Sequence, residues 1–203
     1  MSEETLNFEN PPSEPLPLVE SWLNYAIEHS GLPNPNAMAL STMSQAGHPN
    51  SRIVLLKGID ERGPVFFTNR ESIKGQEISG HPHVALLFHW DSLERQIRIE
   101  GTIEPTTEKE DDAYYASRPR LSRIGAHASP QSQPIPNREF LEDRVKELEA
   151  QYPGEDIPRP PHWGGFRVTP TKIEFWLGHP GRLHDRVVYR KTDHGWTTQR
   201  LAP

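Results

Sequence analysis

The sequence predicts an α+β protein whose strands close into an antiparallel β-barrel with helices packed outside. Apolar residues fall into about nine short runs broken by turn residues, against about four stretches with helical spacing. Successive runs are joined by short connections, and such connections join antiparallel neighbours. So many strands exceed what a small open sheet holds comfortably, which favours closure.

Taken in order, Met1 to Pro17 is acidic and proline-rich with little to bury, which predicts a flexible or surface-draped arm ahead of a single domain over residues 18–203. Leu18, Val19, Trp22, Leu23, Ala26 and Ile27 recur at helical spacing, and Gly31 with Pro33 ends that helix. Strands are expected at Ala37 to Met43, Ser51 to Ile59, Pro64 to Asn69, Val84 to Trp90 and Arg95 to Ile103. Gln45 to His48 and Asp60 to Gly63 supply turns. One helix interrupts the strands, with Ser72 placed to cap it and Ile73, Glu77 and Ile78 inside it. Thr107 and Glu110 have capping-box spacing and open a helix through Tyr114 and Tyr115 that ends before Pro119. Asn137 caps another, with Phe140, Leu141, Val145 and Leu148 as its stripe. Arg118 to Pro136, between them, reads as a solvated linker. Strands resume at Trp163 to Val168, Lys172 to Leu177, Leu183 to Arg190 and Trp196 to Leu201.

Composition narrows the function. The chain has 203 residues, a formal charge of -6 and no cysteine. Acidity argues against nonspecific nucleic-acid binding, which needs a basic surface to displace counterions. Without cysteine there are no disulfides, thiolate nucleophiles or zinc-thiolate sites, which fits a reducing cytoplasm. No apolar run is long enough to cross a bilayer, and the amino terminus is acidic where a signal peptide is basic. The expectation is a soluble, cytoplasmic protein. Ten histidines raise the question of a metal, but none has the spacing and acidic company of a zinc site, so no metal is expected.

The densest chemistry lies in Arg182-Leu183-His184-Asp185-Arg186. In an extended strand Arg182, His184 and Arg186 share one face. Two guanidiniums flanking an imidazole suit a phosphate or carboxylate. Alternatively the arginines pair with Asp185 or Glu174, or lie in water.

Several segments together resemble the pyridoxine/pyridoxamine 5'-phosphate oxidase family of homodimeric FMN-binding split-barrel flavoproteins. They are Arg52-Ile53-Val54-Leu55-Leu56-Lys57, Leu93 to Gln96, Ser117 to Arg120, Ile124 to Ala126, Gln131-Ser132, Trp163 to Arg167, Ile173 to Trp176, Arg182 to Arg186 and Arg200 to Pro203. Their order along the chain makes the likeness specific. The resemblance implies that FMN contacts Arg52, Ile53, Val54, Leu55, Leu56 and Lys57, with Arg52 and Lys74 at its phosphate and Phe67 and Thr68 on the same side. Gln96, Gln131 and Ser132 would meet the isoalloxazine ring or ribityl chain, and Trp176 and Arg186 would complete the site. Trp176 alone reads equally as core. Arg52 and Lys57 differ in strand parity, which a bend or the lysine's reach would reconcile. Where the family has Tyr and Ser-Arg-Lys, this chain has Phe67 and Ser72-Ile73-Lys74, losing a hydroxyl and a cation and implying weaker flavin retention.

For the substrate phosphate the resemblance points to Lys57, Tyr114, Arg118 and Ser122, which turns the apparent linker after Arg118 into a binding loop. Arg182 and His184 would flank the substrate ring as catalytic residues. The implied reaction converts pyridoxine or pyridoxamine 5'-phosphate to pyridoxal 5'-phosphate. A hydride equivalent leaves C4' for the flavin, and O2 is reduced to H2O2. With the amine, water hydrolyses the resulting imine and ammonia leaves. Family members often carry an amino-terminal segment with basic and tyrosine residues over the substrate, which Met1 to Pro17 does not resemble. Two alternatives follow: a phenazine-biosynthesis-type FMN oxidase on the same barrel, or a noncatalytic protein binding flavin or pyridoxal phosphate. Lys57, Tyr114, Arg118 and Ser122 argue against the first, because a phenazine precursor has no phosphate for them to bind. Arg182 and His184 argue against the second.

Overall fold

The sheet is organised around one long strand. The computed structural model describes residues 6–203. In it β1 (Ala37–Met43), β2 (Pro49–Leu55), β3 (Gly58–Asp60), β4 (Gly63–Asn69), β5 (His83–Trp90), β6 (Arg95–Pro105), β7 (Trp163–Leu177), β8 (Asp185–Thr192) and β9 (Gly195–Arg200) form one antiparallel sheet. Its main path runs β2-β1-β5-β6-β7-β4-β3. One edge of β7 pairs with β6 along its length. Its other edge is divided: residues 163–167 take β4 and residues 172–177 take β8, which in turn holds β9. The division coincides with a register shift at Glu100/Gly101, where Gly101 faces Pro170. A Cβ on Gly101 would stand 2.2 Å from the Thr169 carbonyl oxygen, so only glycine permits this approach.

Strict alternation in β1, β5 and β6 turns Leu40, Leu86, Phe88, Ile97 and Ile99 into the curled sheet's interior. There they meet Phe66, Val168, Ile173, Phe175 and Val187. Helix α1 (Pro15–His29) adds Val19, Trp22 and Ala26 to that core, the Trp22 ring edge-on to Phe175 at 5.3 Å. Helices α2 (Ile73–Gly80), α3 (Glu108–Ala116), α4 (Arg120–Ala128) and α5 (Glu139–Gln151) complete the fold. The α+β, antiparallel split-barrel expectation is met, as a curled half-barrel sheet with helices outside.

The local differences have physical causes. Helix α1 starts at Pro15, because proline suits the first turn of a helix. Before it, Leu6 and Phe8 are buried and Tyr189 Oη donates to the Pro12 carbonyl at 3.0 Å, so this part of the arm packs on the core. Met1 to Thr5 lie outside the described residues. The run Ser51 to Ile59 is two strands: the Leu56 amide makes the last bond along the β1 side, to the Asn36 carbonyl, and the Lys57 amide turns to the Val65 carbonyl of β4. The runs on either side of Pro170 are one strand. Ser72 occupies the N-cap position of α2, but its hydroxyl donates to the Asn69 carbonyl at 2.7 Å instead of capping. The capping box at Thr107 and Glu110 is present, and Asn137 Oδ1 accepts from the Phe140 amide at 2.9 Å.

The presumed linker after Arg118 contains α4, whose Ile124 and Ala128 are buried. Arg182 and His184 precede β8: Arg182 ends a tight turn with φ 62° and only Arg186 lies in the strand. The single cationic strand face expected from alternation is therefore absent.

Candidate active site

Three aromatic rings build the floor of a cleft between β4, α3 and the start of β7. Phe67 stacks on Tyr114 at 4.1 Å and on Trp163 at 5.4 Å. Gly165, paired with Phe67 in the ladder, makes the packing possible, because a Cβ there would approach the Phe67 ring to 2.8 Å. Below, the wholly buried Asp111 fixes α3 to β7: it accepts from the Gly165 amide at 2.7 Å, Thr106 Oγ1 at 2.5 Å and Arg70 Nη2 at 2.8 Å. Tyr114 is thereby held at a fixed height.

The cleft has a volume of about 460 Å³ and is lined by Ile53, Val54, Leu55, Lys57, Phe67, Thr68, Lys74, Tyr114, Ser117, Arg118, Pro119, Ser122, Gln131 and Trp163. An adjoining recess adds Asn69, Gly125, Ala126 and Ser129. Most of the residues expected at one site thus converge from five separate stretches of chain.

Two polar groupings stand out. In one, Lys74 Nζ donates to Gln131 Oε1 at 2.8 Å, to Ser72 Oγ at 3.1 Å and to Thr68 Oγ1 at 3.3 Å. Burial, then the charge of Arg52, pull the Lys74 pKa below its ordinary value, while Glu77 opposes them. Arg52 itself turns inward to Glu77 and does not line the cleft. Ile73 is half exposed beside Lys74.

In the other grouping, Arg118 lies over Trp163, its guanidinium carbon 4.7 Å from the ring centroid, with Ser122 on the same wall. Arg118 Nη1 is buried without a hydrogen-bond partner. Burial lowers the Arg118 pKa. An orphaned guanidinium N–H beside Lys57, Tyr114 and Ser122 is donor chemistry for an oxyanion. The Lys74 amine and Thr68 hydroxyl, also in the cleft lining, fit a second one. Both groupings suit ligands bearing a phosphate.

The remaining expected residues lie apart. Leu56 is buried in the core. Ser132 is exposed with φ 71°. Gln96 sits opposite Trp176 in the β6/β7 ladder, and the Trp176 ring meets His184 at 4.6 Å. Arg186 donates twice to Glu174 Oε1, at 2.9 and 2.7 Å, so the pairing with Glu174 holds for this arginine. Gln96, Trp176, Arg182, His184 and Arg186 form no part of the cleft wall. The expected residues thus fall into two groups on one chain. Trp163 was missed as a site residue; its signal was the Gly164-Gly165 pair, which leaves room for rings to stack beside it.

A curled antiparallel half-barrel sheet with helices on its flank is the architecture of the split-barrel class. Residues 28–152 match the family described as pyridoxamine 5'-phosphate oxidase, and residues 163–203 match the pyridoxine 5'-phosphate oxidase C-terminal dimerisation region. The chain belongs to the pyridoxine/pyridoxamine 5'-phosphate oxidase family. It is 56% identical over 191 residues to the pyridoxine/pyridoxamine 5'-phosphate oxidase of Caulobacter vibrioides, covering 94% of this chain and 85% of that one. The enzyme of the same name from Synechocystis sp. is 56% identical over 182 residues, covering 90% and 85%. Among solved structures, PhzG from Burkholderia lata in complex with tetrahydrophenazine-1-carboxylic acid superposes with a TM-score of 0.92 at 34% identity, over all of both chains. A pyridoxamine 5'-phosphate oxidase-related, FMN-binding protein from Nostoc punctiforme gives 0.73 at 18% identity, covering 90% of this chain and 96% of that one, a likeness of fold. Among the described residues no helix is long and apolar enough to cross a membrane.

Proposed function

We infer that this chain is an oxidase converting pyridoxine or pyridoxamine 5'-phosphate to pyridoxal 5'-phosphate, with FMN as its cofactor. The observation that carries the substrate is the buried, partnerless Arg118 Nη1 beside Lys57, Tyr114 and Ser122. These four side chains would bind the substrate phosphate as a dianion, the lysine and arginine supplying charge and the hydroxyls direction. Lys74 and Thr68 would hold the cofactor phosphate, with Arg52 as a nearby charge. Ile53, Val54, Leu55, Lys57, Phe67 and Gln131 would line its length. When bound, FMN supplies the two-electron acceptor for oxidation at C4', with O2 as final oxidant and H2O2 as product.

The second group of residues reaches the cleft from another copy of the chain. Trp176, Arg182, His184 and Arg186 all lie within the segment matching a dimerisation region. Ile53, Leu121 and Leu183 are the most exposed large apolar side chains among the described residues, at 65%, 65% and 74%. Contiguous exposed apolar patches mark surfaces that another chain covers, and in a dimer these three side chains would be candidates for such a patch. In the assembled homodimer Gln96, Ser132, Trp176 and Arg186 complete the cofactor site, and Arg182 and His184 flank the substrate ring. The protein's part is then to orient C4' against the cofactor, since a small displacement costs much of the rate. With no cysteine to form disulfides, the expected compartment is the reducing cytoplasm.

The likeness to PhzG raises a phenazine-type oxidation as the competing reading. The phosphate-binding group disfavours it, because a tricyclic carboxylic acid leaves Lys57 and Arg118 without their dianion. The deciding experiment loads the protein with FMN, excludes oxygen, adds pyridoxine 5'-phosphate and follows the visible flavin band. Bleaching that reverses on admitting air is the expected result. A bound flavin that stays yellow would overturn the vitamin substrate while leaving the barrel intact.

A further inference from the structure

The turn between β7 and β8 carries a hydrogen-bonded arrangement that the cleft does not explain. At its start the Gly178 amide donates to the Glu94 carbonyl at 2.8 Å, and a Cβ on Gly178 would stand 2.7 Å from Glu94 Cβ. At its end Asp185 begins β8. Across the turn, His179 Nε2 donates to Asp185 Oδ2 at 2.7 Å, while the other Asp185 oxygen accepts from Arg200. The backbone amide of His179 donates to His184 Nδ1 at 3.1 Å.

We propose that His179, anchored by Asp185, is a positioning residue that fixes His184 as its Nε2–H tautomer and presents that nitrogen as a hydrogen-bond donor. The proposal rests on the reading above in which His184 meets the substrate. A ring nitrogen that accepts from an amide carries no proton, so the proton of the neutral imidazole must sit on Nε2. The ring also lies against Trp176, tilted by 42°, which restricts the flip that would exchange the two nitrogens. The His179 side chain is tied to Asp185 at the turn's far end, and that tie would hold the backbone amide from which His184 accepts. His184 would therefore donate to an acceptor atom on the substrate ring, such as a ring-bound oxygen. As a neutral Nε2–H imidazole it has no free lone pair with which to remove a proton. Arg182, permanently charged, is no base either.

The test uses the full-length protein labelled with 15N-histidine, without substrate, and reads the ring nitrogens of His184, assigned by the signal lost in His184→Gln. The wild type should show a protonated Nε2 and a bare Nδ1. In His179→Ala the two tautomers should mix, and kcat/KM for pyridoxine 5'-phosphate should fall roughly threefold to tenfold, the loss of about one hydrogen bond. In His179→Gln, whose amide can still donate to Asp185, both readouts should return toward wild type. A protonated Nδ1 in the wild type, or an unchanged ring signature in His179→Ala, would overturn the proposal. The ring signature needs no turnover, so a wrong substrate assignment would silence the kinetic readout and leave the tautomer result standing.

Discussion

Arg52 and Glu77 form a largely buried ion pair between β2 and α2, with Nη2 3.0 Å from Oε2 and the side chains 19% and 8% exposed. Thr42 Oγ1 lies between them, donating to Glu77 at 2.5 Å and accepting from Arg52 Nη1 at 2.5 Å, while Asn50 donates to the other Glu77 oxygen at 3.1 Å. The pair ties the first hairpin to the helix that carries Lys74. Removing one member leaves the other charge without its partner, which costs more than the pair contributes. Glu77→Ala should therefore lower unfolding free energy by about 3 kcal/mol or more, measured by urea denaturation. A loss below about 1 kcal/mol would mean that the pair is screened like a surface one.

Ile73 stands next to Lys74 at the start of α2, half exposed and offering nothing to an anion. On the FMN reading, Ile73→Arg adds a cation close to the cofactor phosphate. Dialysed protein titrated against FMN fluorescence should then bind about threefold to tenfold more tightly. Equal retention by the two proteins would show that Lys74 and Thr68 already satisfy the phosphate.

The contrast between these two positions shows what a sequence discloses. Ile73 was legible at once, since it breaks a short motif. The Arg52–Glu77 pair was not, because the partners are 25 residues apart and meet only when β2 folds over α2. The sheet was legible for a similar reason of scale: alternation in β1, β5 and β6 is local, whereas the fusion of two runs into β7 depends on neighbours that both halves share. Helix α4 was hidden because two buried residues, Ile124 and Ala128, make too thin a stripe to see among arginine and serine. The turn placing Arg182 and His184 off the strand was signalled only by Pro180-Gly181.

Arg118 offers a sharper test of the substrate end of the cleft. Its guanidinium is held by Trp163 and lacks a partner at Nη1, so it is preorganised for an anion. Arg118→Ala should raise KM for pyridoxine 5'-phosphate by about tenfold to a hundredfold, the cost of a charge-assisted hydrogen bond, while FMN binding changes little. Arg118→Lys should recover only part, because an ammonium keeps charge without the planar fork. A parallel loss of FMN would place this side chain at the cofactor instead.

Acid stability depends on Glu110, which closes the capping box of α3 and so holds Tyr114 in the cleft. The Thr107 amide, then the Thr107 hydroxyl, donate to it at 2.9 Å each; burial opposes them, and Arg167 at 2.8 Å and Arg62 at 3.0 Å add their charge. Together they lower its pKa from the ordinary 4.5 to about 2. The folded state thus favours the carboxylate, so this contribution is fully present above about pH 4.5 and declines as pH falls through that value toward about 2. Glu110→Gln keeps the size but removes the charge facing Arg167, a buried arginine whose other acidic partner is Asp60. At pH 7 the variant should be less stable by about 1–3 kcal/mol. The difference from wild type should shrink on acidification from pH 5 to pH 2.5, read as converging urea midpoints, because protonation makes the wild type resemble the variant. A gap that stays constant across that range would assign the acid sensitivity to other carboxylates, Asp60 foremost, whose pKa is also lowered: burial acts against the shift, and the Arg62 side chain and amide and the charge of Arg167 outweigh it.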